Sequence, residues 1–235
     1  MLRHCHLLGE PTNINSDHLV ISTLTTFQYR LQKIVSIDGE LLGFEVLLDF
    51  VAAQRELDNG MLQYTQAIND GRALDNLLNC LLTKKSKINA VKLFINVERM
   101  NLCNKMLLRK IVAAARHLYV NYDIELVVEI TERNQCGYCA DILHGLVFLK
   151  KNKVTLAADD YDIYGKDFRI KEINVGLYDY IKVVMPTTPA EATVLNAFVS
   201  GRTEKVILEM VEDHQLIRSF QLSPKLYAYQ GFAYC

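Results

Sequence analysis

Short apolar runs that each end in a polar side chain recur along most of this 235-residue chain. In chain order they read LLGFE, VKLFIN, IELVVE, VTLAADD, YIK, KVILE and LYAYQ. Their polar ends are Glu45, Asn96, Glu129, Asp159, Asp160, Lys182, Glu209 and Gln230. Stability alone does not explain such a series, because an unpaired buried charge is costly. Oxygen ligands at successive strand ends instead predict a ring around a divalent metal site.

Segments with helical spacing separate most of these runs. Between residues 61 and 86, apolar residues recur at the period of a helix. Asn101 is predicted to be the N-cap of a further helix that apolar residues carry as far as Leu118. Strands separated by helices imply parallel pairing with right-handed crossovers. Polar residues at the ends of the strands favour a closed barrel over an open sheet, because those ends converge only when the sheet closes.

The first two extended runs, 27–36 and 41–50, do not follow the alternation. Asp38 and Gly39 between them form a hairpin signal, which predicts two antiparallel neighbours. The predicted architecture is therefore α/β, a TIM-like (β/α)8 barrel with an antiparallel first strand, over residues 26–235. Residues 1–25 are polar and irregular, and we interpret them as an N-terminal extension.

Composition narrows the classes of function. Half of the residues are hydrophobic, which is enough for one sizeable core. The net charge of −1 gives no electrostatic reason to expect a nucleic-acid polymer or a membrane surface as a partner. No apolar run approaches the ~20 residues that span a bilayer, and charged residues near the start argue against a secretory signal. We therefore expect a cytoplasmic protein.

Other familiar motifs are incomplete. Cys136 and Cys139 have CxxC spacing, but the sequence holds no second such pair and no paired histidines to complete a zinc site. A thiol–disulfide enzyme would place this spacing in another fold context. The sequence contains no HExxH, GxGxxG or P-loop motif. The interpretation therefore depends on the polar strand ends.

The blocks around those strand ends resemble the EAL domain, a bacterial phosphodiesterase fold that hydrolyses cyclic di-GMP. GFEVLLDF resembles the block that names the family, LFINVERM its asparagine block and VVEITER its EITE block. AADDY resembles its tandem aspartates, DYIKVV its lysine block, LEMVED its glutamate block and YQGF its last motif. A single block is a weak signal, whereas EITE, the tandem aspartates and YIK in this order are a strong one. The resemblance covers roughly residues 27 to 235.

This resemblance implies a two-metal site for Mg²⁺ or Mn²⁺, at which Ca²⁺ could bind as an inhibitor. The implied metal ligands are Glu45, Asn96, Glu129, Asp159, Asp160 and Glu209, with Asp159 bridging the two ions. The implied catalytic residues are Lys182, Glu209 and Gln230. Lys182 would contact the attacking water and Gln230 would orient Lys182. Gln32 would contact the substrate, and Glu132 would anchor a loop. The implied reaction is metal-dependent hydrolysis of cyclic di-GMP to linear pGpG, in a protein that could be a homodimer.

Several positions depart from the family pattern. The loop after the aspartates reads DDYDIYGKDF instead of DDFGTGYSS, so that residues 162–164 replace two glycines and a threonine. Asp49 replaces an arginine that binds a substrate phosphate, Val184 replaces an aspartate, and Met210 replaces a glycine. Two interpretations remain open. Retention of the strand-end residues favours a cyclic di-GMP phosphodiesterase. The departures favour a catalytically weak or inactive EAL-like regulator that acts by binding a protein partner.

Overall fold

The strands of this computed structural model close into a barrel in chain order. The structure describes residues 27–49, 60–83, 91–133 and 139–234. The strands are β1 (Tyr29–Ser36), β2 (Leu41–Leu48), β3 (Lys92–Val97), β4 (Glu125–Ile130), β5 (Thr155–Ala158), β6 (Tyr180–Val184), β7 (Lys205–Glu209) and β8 (Ala228–Gln230). From β2 to β8 neighbouring strands are parallel, whereas β1 is antiparallel to β2 and β8. The predicted fold, a TIM-like barrel with an antiparallel first strand, is confirmed.

Helices connect the parallel strands. They are α1 (Gly60–Asn69), α2 (Arg72–Thr83), α3 (Lys105–Tyr122), α4 (Ala140–Lys151), α5 (Ile170–Asn174), α6 (Pro189–Ser200) and α7 (His214–Ser219). Two 3₁₀ helices span Arg99–Cys103 and Phe232–Tyr234. Helix α6 begins with a capping box, in which Thr188 and Glu191 satisfy each other's backbone N–H groups. Among the described residues, no helix is both long enough and apolar enough to cross a bilayer.

Two details of the predicted helices are wrong. The helix expected over 61–86 is two helices, because Gly71 between α1 and α2 takes φ +80°, which ends the first helix. Asn101 lies within a 3₁₀ helix, and the N-cap of α3 is Asn104. The side-chain oxygen of Asn104 accepts from the N–H groups of Met106 and Leu107 at 3.0 and 3.2 Å. Residues 1–25 and Cys136 lie outside the described residues.

The interior of the barrel contains an apolar layer that supports the site. Its members are Ile34, Phe94, Val127, Ala157, Tyr180, Ile207 and Ala228. A second, larger cluster packs the outer faces of the strands against the helices. Because side chains alternate along a strand, the residue two positions further along also points inward. The next inward layer, towards the carboxyl ends of the parallel strands, is therefore the layer of polar strand ends.

Candidate metal centre and catalytic site

The polar strand ends form one layer directly above the apolar interior. Asn96 follows Phe94 by two residues on β3, and Glu129 follows Val127 in the same way on β4. The register of the barrel and its hydrogen bonds add Gln32, Glu45, Asp159, Lys182, Glu209 and Gln230 to this layer. Residues separated by as many as 198 positions in sequence thus meet in one place.

Lys182 provides positive charge at the centre of this layer. Its Nζ lies 2.7 Å from Glu129 and 2.8 Å from Glu209. The same atom lies 3.1 Å from Asp159 and 3.2 Å from Glu45. Burial opposes charge on this lysine, but the carboxylates outweigh burial and raise its pKa well above the ordinary value. One fully buried ammonium group therefore faces four carboxyl groups.

Two side-chain amides fix the position of Glu45. Asn96 Nδ2 donates to Glu45 Oε1 at 2.6 Å. Gln230 Nε2 donates to Glu45 Oε2, and also to Gln32 Oε1 at 3.1 Å. The resemblance implied that Gln230 orients Lys182, but the structure connects them only indirectly. Lys182 and Gln230 both bind Oε2 of Glu45, so Gln230 acts on the lysine through that carboxylate.

Burial and crowding give the carboxyl groups different proton affinities. Burial, reinforced by the charge of Glu45, raises the pKa of Glu129 well above its ordinary value. Burial likewise raises the pKa of Glu209 to about 8. Burial also opposes charge on Glu45, but the Lys182 ammonium and the two amide donors outweigh burial and lower its pKa. The layer is therefore short of positive charge, and burial favours the protonated forms of Glu129 and Glu209.

Buried oxygen atoms without a hydrogen-bond partner are typical of a cation-binding site. Within the described residues, both carboxylate oxygens of Glu129, Oε2 of Glu209 and Oε1 of Gln230 have no hydrogen-bond partner. The close approach of Lys182 to Glu129 is thus an ion pair without the geometry of a hydrogen bond. Unsatisfied buried acceptors are costly, and carboxylate and amide oxygens are the ligands that hard divalent ions prefer. The residues present therefore fit Mg²⁺, Mn²⁺ or Ca²⁺.

Asp160 and Glu132 extend the acidic surface towards solvent. Three carboxylate oxygens, one from each of Glu132, Asp159 and Asp160, lie within 4.8 Å of one another. Burial and the neighbouring Asp159 charge raise the pKa of Asp160. Glu132 is exposed and lies beside the aspartates, and its role as a loop anchor stays a prediction.

Comparison with known proteins depends on structure alone. No family model and no curated protein sequence matches the chain. Vibrio cholerae LapD (S helix-GGDEF-EAL, apo) is similar with a TM-score of 0.62 and 16% identity, over 88% of this chain and 53% of LapD. The PaMucR phosphodiesterase in complex with c-di-GMP is similar with a TM-score of 0.62 and 17% identity, over 88% of this chain and 95% of the PaMucR chain.

Klebsiella pneumoniae BlrP1 in a manganese and cyclic di-GMP complex gives a TM-score of 0.59 and 19% identity, over 92% of this chain and 56% of BlrP1. The fold is that of an EAL domain. The resemblance inferred from the sequence blocks is thus confirmed at the level of the fold. The chain spans about half the length of the LapD and BlrP1 chains, 53% and 56%.

Two residues that depart from the EAL pattern, Val184 and Met210, lie exposed at or just beyond the carboxyl ends of their strands. Met210, directly after Glu209, takes φ +56°, a left-handed conformation that favours the glycine expected there. Met210 is 61% exposed, Val184 38% and Phe232 52%, and they follow the site residues of three adjacent strands. This EAL fold therefore has an apolar rim beside its acidic centre.

Sequence reasoning missed two further features of this EAL fold. Arg169 is fully buried behind the tandem aspartates, but an arginine in an irregular segment follows no periodicity that would reveal it. Cys139 was considered together with Cys136, yet its Sγ lies 3.8 Å from Sγ of Cys103, which belongs to the 3₁₀ helix after β3. Only the three-dimensional fold brings these groups to their partners.

Proposed function

We propose that this chain is a divalent-metal-dependent phosphodiesterase that hydrolyses cyclic di-GMP to linear pGpG. One observation carries the proposal: at the carboxyl ends of an EAL-type barrel, Lys182 faces buried carboxylates of Glu129 and Glu209 that keep oxygens with no hydrogen-bond partner among the described residues. The substrate class is supported by the fold, because the similar PaMucR and BlrP1 structures are complexes with cyclic di-GMP.

The residues divide into two ligand groups. One ion would be held by Glu45, Asn96, Glu129 and Asp159, and a second by Asp159, Asp160 and Glu209. When bound, divalent ions supply Lewis acidity, which polarises phosphodiester oxygens and acidifies water. We extend the proposal to Mg²⁺ or Mn²⁺ as the activating ion, to Ca²⁺ as an inhibitor, to a homodimer and to a cytoplasmic location.

The chain's own residues prepare this chemistry. Lys182 keeps its proton at Nζ because its pKa is raised, so it can donate a hydrogen bond to the nucleophilic water or to a phosphoryl oxygen. Glu45 stays ionised between its two amide donors and holds that lysine in place. Gln32, bonded to Gln230, stands beside Glu45 where a substrate contact is expected.

The direct test is hydrolysis of cyclic di-GMP by the purified full chain, with the products separated by chromatography. We expect pGpG with Mn²⁺ or Mg²⁺ and none with a chelator. Glu45→Gln should abolish the product, whereas Glu40→Gln, an exposed change in the β1–β2 turn, should not alter it. A folded wild type that makes no pGpG with either ion would contradict the proposal.

A second function, a catalytically weak or inactive regulator that binds a protein partner, is favoured by the apolar rim. Val184, Met210 and Phe232 expose apolar surface where a partner could pack. Asp49 in place of a phosphate-binding arginine also disfavours a phosphate ligand. Calorimetry with cyclic di-GMP separates the two functions. Binding and turnover support the enzyme, whereas a folded protein that neither binds nor cleaves the nucleotide supports the regulator.

A further inference from the structure

A buried guanidinium group lies behind the tandem aspartates. Arg169 is fully buried, and its Nη1 donates to the carbonyl oxygens of Asp159 at 2.6 Å and Ile130 at 3.0 Å. Its Nη2 donates to the carbonyl of Asp160 at 3.3 Å and to Asp167 Oδ2 at 2.7 Å, and its Nε donates to Asp167 Oδ1 at 3.0 Å. A buried charge is tolerated only with such complete pairing.

Three of these acceptors belong to the backbone that carries the proposed metal ligands. Ile130 directly follows Glu129 at the end of β4, and the other two carbonyls belong to Asp159 and Asp160 themselves. Asp160 takes φ +45°, a left-handed conformation that residues other than glycine adopt uncommonly. Such a conformation persists only when its surroundings enforce it. Arg169 bonds to the carbonyl of Asp160 and connects the ends of β4 and β5.

Asp167 in turn braces the loop from which Arg169 projects. Its carboxylate accepts from the N–H groups of Arg169 at 2.8 Å and Asp162 at 3.2 Å. Asp162 Oδ1 accepts from the N–H groups of Tyr164 at 2.9 Å and Gly165 at 2.8 Å. The segment is therefore braced by hydrogen bonds from its own side chains.

We infer that Arg169, held by Asp167, is a positioning residue that keeps Asp159 and Asp160 in ligand geometry before any metal ion or substrate arrives. This role rests on the proposed function, because it presupposes that these aspartates bind a divalent ion. A site ordered in advance binds more tightly than one that must be ordered on binding. Loss of Arg169 should therefore weaken metal binding itself, apart from any effect on turnover.

The test is the dissociation constant for Mn²⁺, measured by calorimetry on the full chain without nucleotide. Arg169→Met should raise that constant about 10- to 100-fold, the range typical of groups that orient metal ligands. Arg169→Lys keeps the charge but cannot reach all the acceptors, so a smaller rise is expected. Arg99→Met is the matched control, because Arg99 is a buried guanidinium paired with Glu172 that makes none of these backbone contacts.

Thermal unfolding of the same samples separates positioning from simple stability. We expect Arg99→Met and Arg169→Met both to lower the melting temperature, and only the second to weaken Mn²⁺ binding. An unchanged Mn²⁺ constant in Arg169→Met would overturn the inference, and if that variant does not fold, an unchanged constant in Arg169→Lys would do so. A wild type that binds no Mn²⁺ would overturn the proposed function as well, which distinguishes the two failures.

Discussion

The two ends of the barrel differ in how their positive and negative side chains are balanced. At the amino ends of the parallel strands, Lys92 pairs with Glu125, and Lys150 pairs with Asp179 at 2.7 Å, one cation to one anion at partly exposed positions. At the carboxyl ends, fully buried Lys182 faces four carboxyl groups. Charge is balanced at one end and acidic in excess at the other.

A single strand shows what this difference means. Glu125 and Glu129 both lie on β4. Glu125 is bonded to Lys92 and to the Thr155 hydroxyl, whereas both oxygens of Glu129 lack a hydrogen-bond partner among the described residues. The first arrangement satisfies its charges and needs no further explanation. The second is costly in isolation, which is expected of a site that is completed by cations.

The largest expected effect comes from removing the central cation. Lys182→Met should destabilise the metal-free protein by about 3–5 kcal/mol, because it leaves buried carboxylates uncompensated. At the balanced end, Lys150→Met should cost only about 0.2–1 kcal/mol. Urea denaturation of both variants measures the contrast. Added Mn²⁺ should restore part of the loss in Lys182→Met, and equal losses in the two variants would remove the distinction between the ends.

The two glutamates of β4 provide the next contrast. Glu129→Gln should lower cyclic di-GMP hydrolysis at least about 100-fold, because it removes a proposed metal ligand. Glu125→Gln should leave hydrolysis within about twofold, because Glu125 lies at the far end of the strand. Steady-state kinetics with Mn²⁺ measures both. Comparable activity in the two variants would show that the acidic end is not the reactive one.

Metal affinity should depend on pH through Glu209, whose pKa is raised from 4.5 to about 8 by burial. The folded metal-free protein retains this proton where the unfolded chain has lost it. The resulting stability is complete below pH 4.5 and is lost as the pH rises through about 8. Because a metal ion must displace this proton, and burial raises the pKa of the ligand Glu129 as well, the Mn²⁺ dissociation constant should fall by at least about tenfold per pH unit up to about pH 8. Calorimetry between pH 6 and 9 tests this, and a constant affinity would contradict it.

The smallest expected effect concerns the backbone beside Glu209. Met210→Gly should raise the free energy of unfolding by about 0.5 kcal/mol, because glycine adopts the observed positive φ without the steric cost. The control is Met106→Gly, at an exposed position of α3, which should lower stability by up to about 1 kcal/mol. Denaturant titrations should therefore give opposite signs for the same substitution. A loss of stability in both variants would indicate that Met210 is not strained.

The sequence predicted the barrel because its signal is periodic. An apolar run that ends in a polar residue, such as Glu129 or Lys182, indicates where a strand lies and where it ends. Because side chains alternate along a strand, the same pattern indicates which face carries the polar side chain. Contacts between segments that are distant in the sequence leave no such periodic pattern. Asn101 and Asn104 are equally good caps by composition, and only the 3₁₀ helix that contains Asn101 decides between them. The bond from Gln230 to Glu45 and the carbonyl contacts of Arg169 depend on strand closure, which no local pattern encodes.

The most direct test of the acidic end as a cation site is thermal unfolding with and without Mn²⁺. At a Mn²⁺ concentration of about 100 times the dissociation constant, wild type should gain about 2.7 kcal/mol, which is about 5–10 °C in melting temperature. Glu125→Gln should gain as much, and Glu129→Gln should gain far less. A wild type whose melting temperature does not change at millimolar Mn²⁺, or an equal rise in Glu129→Gln, would contradict the account.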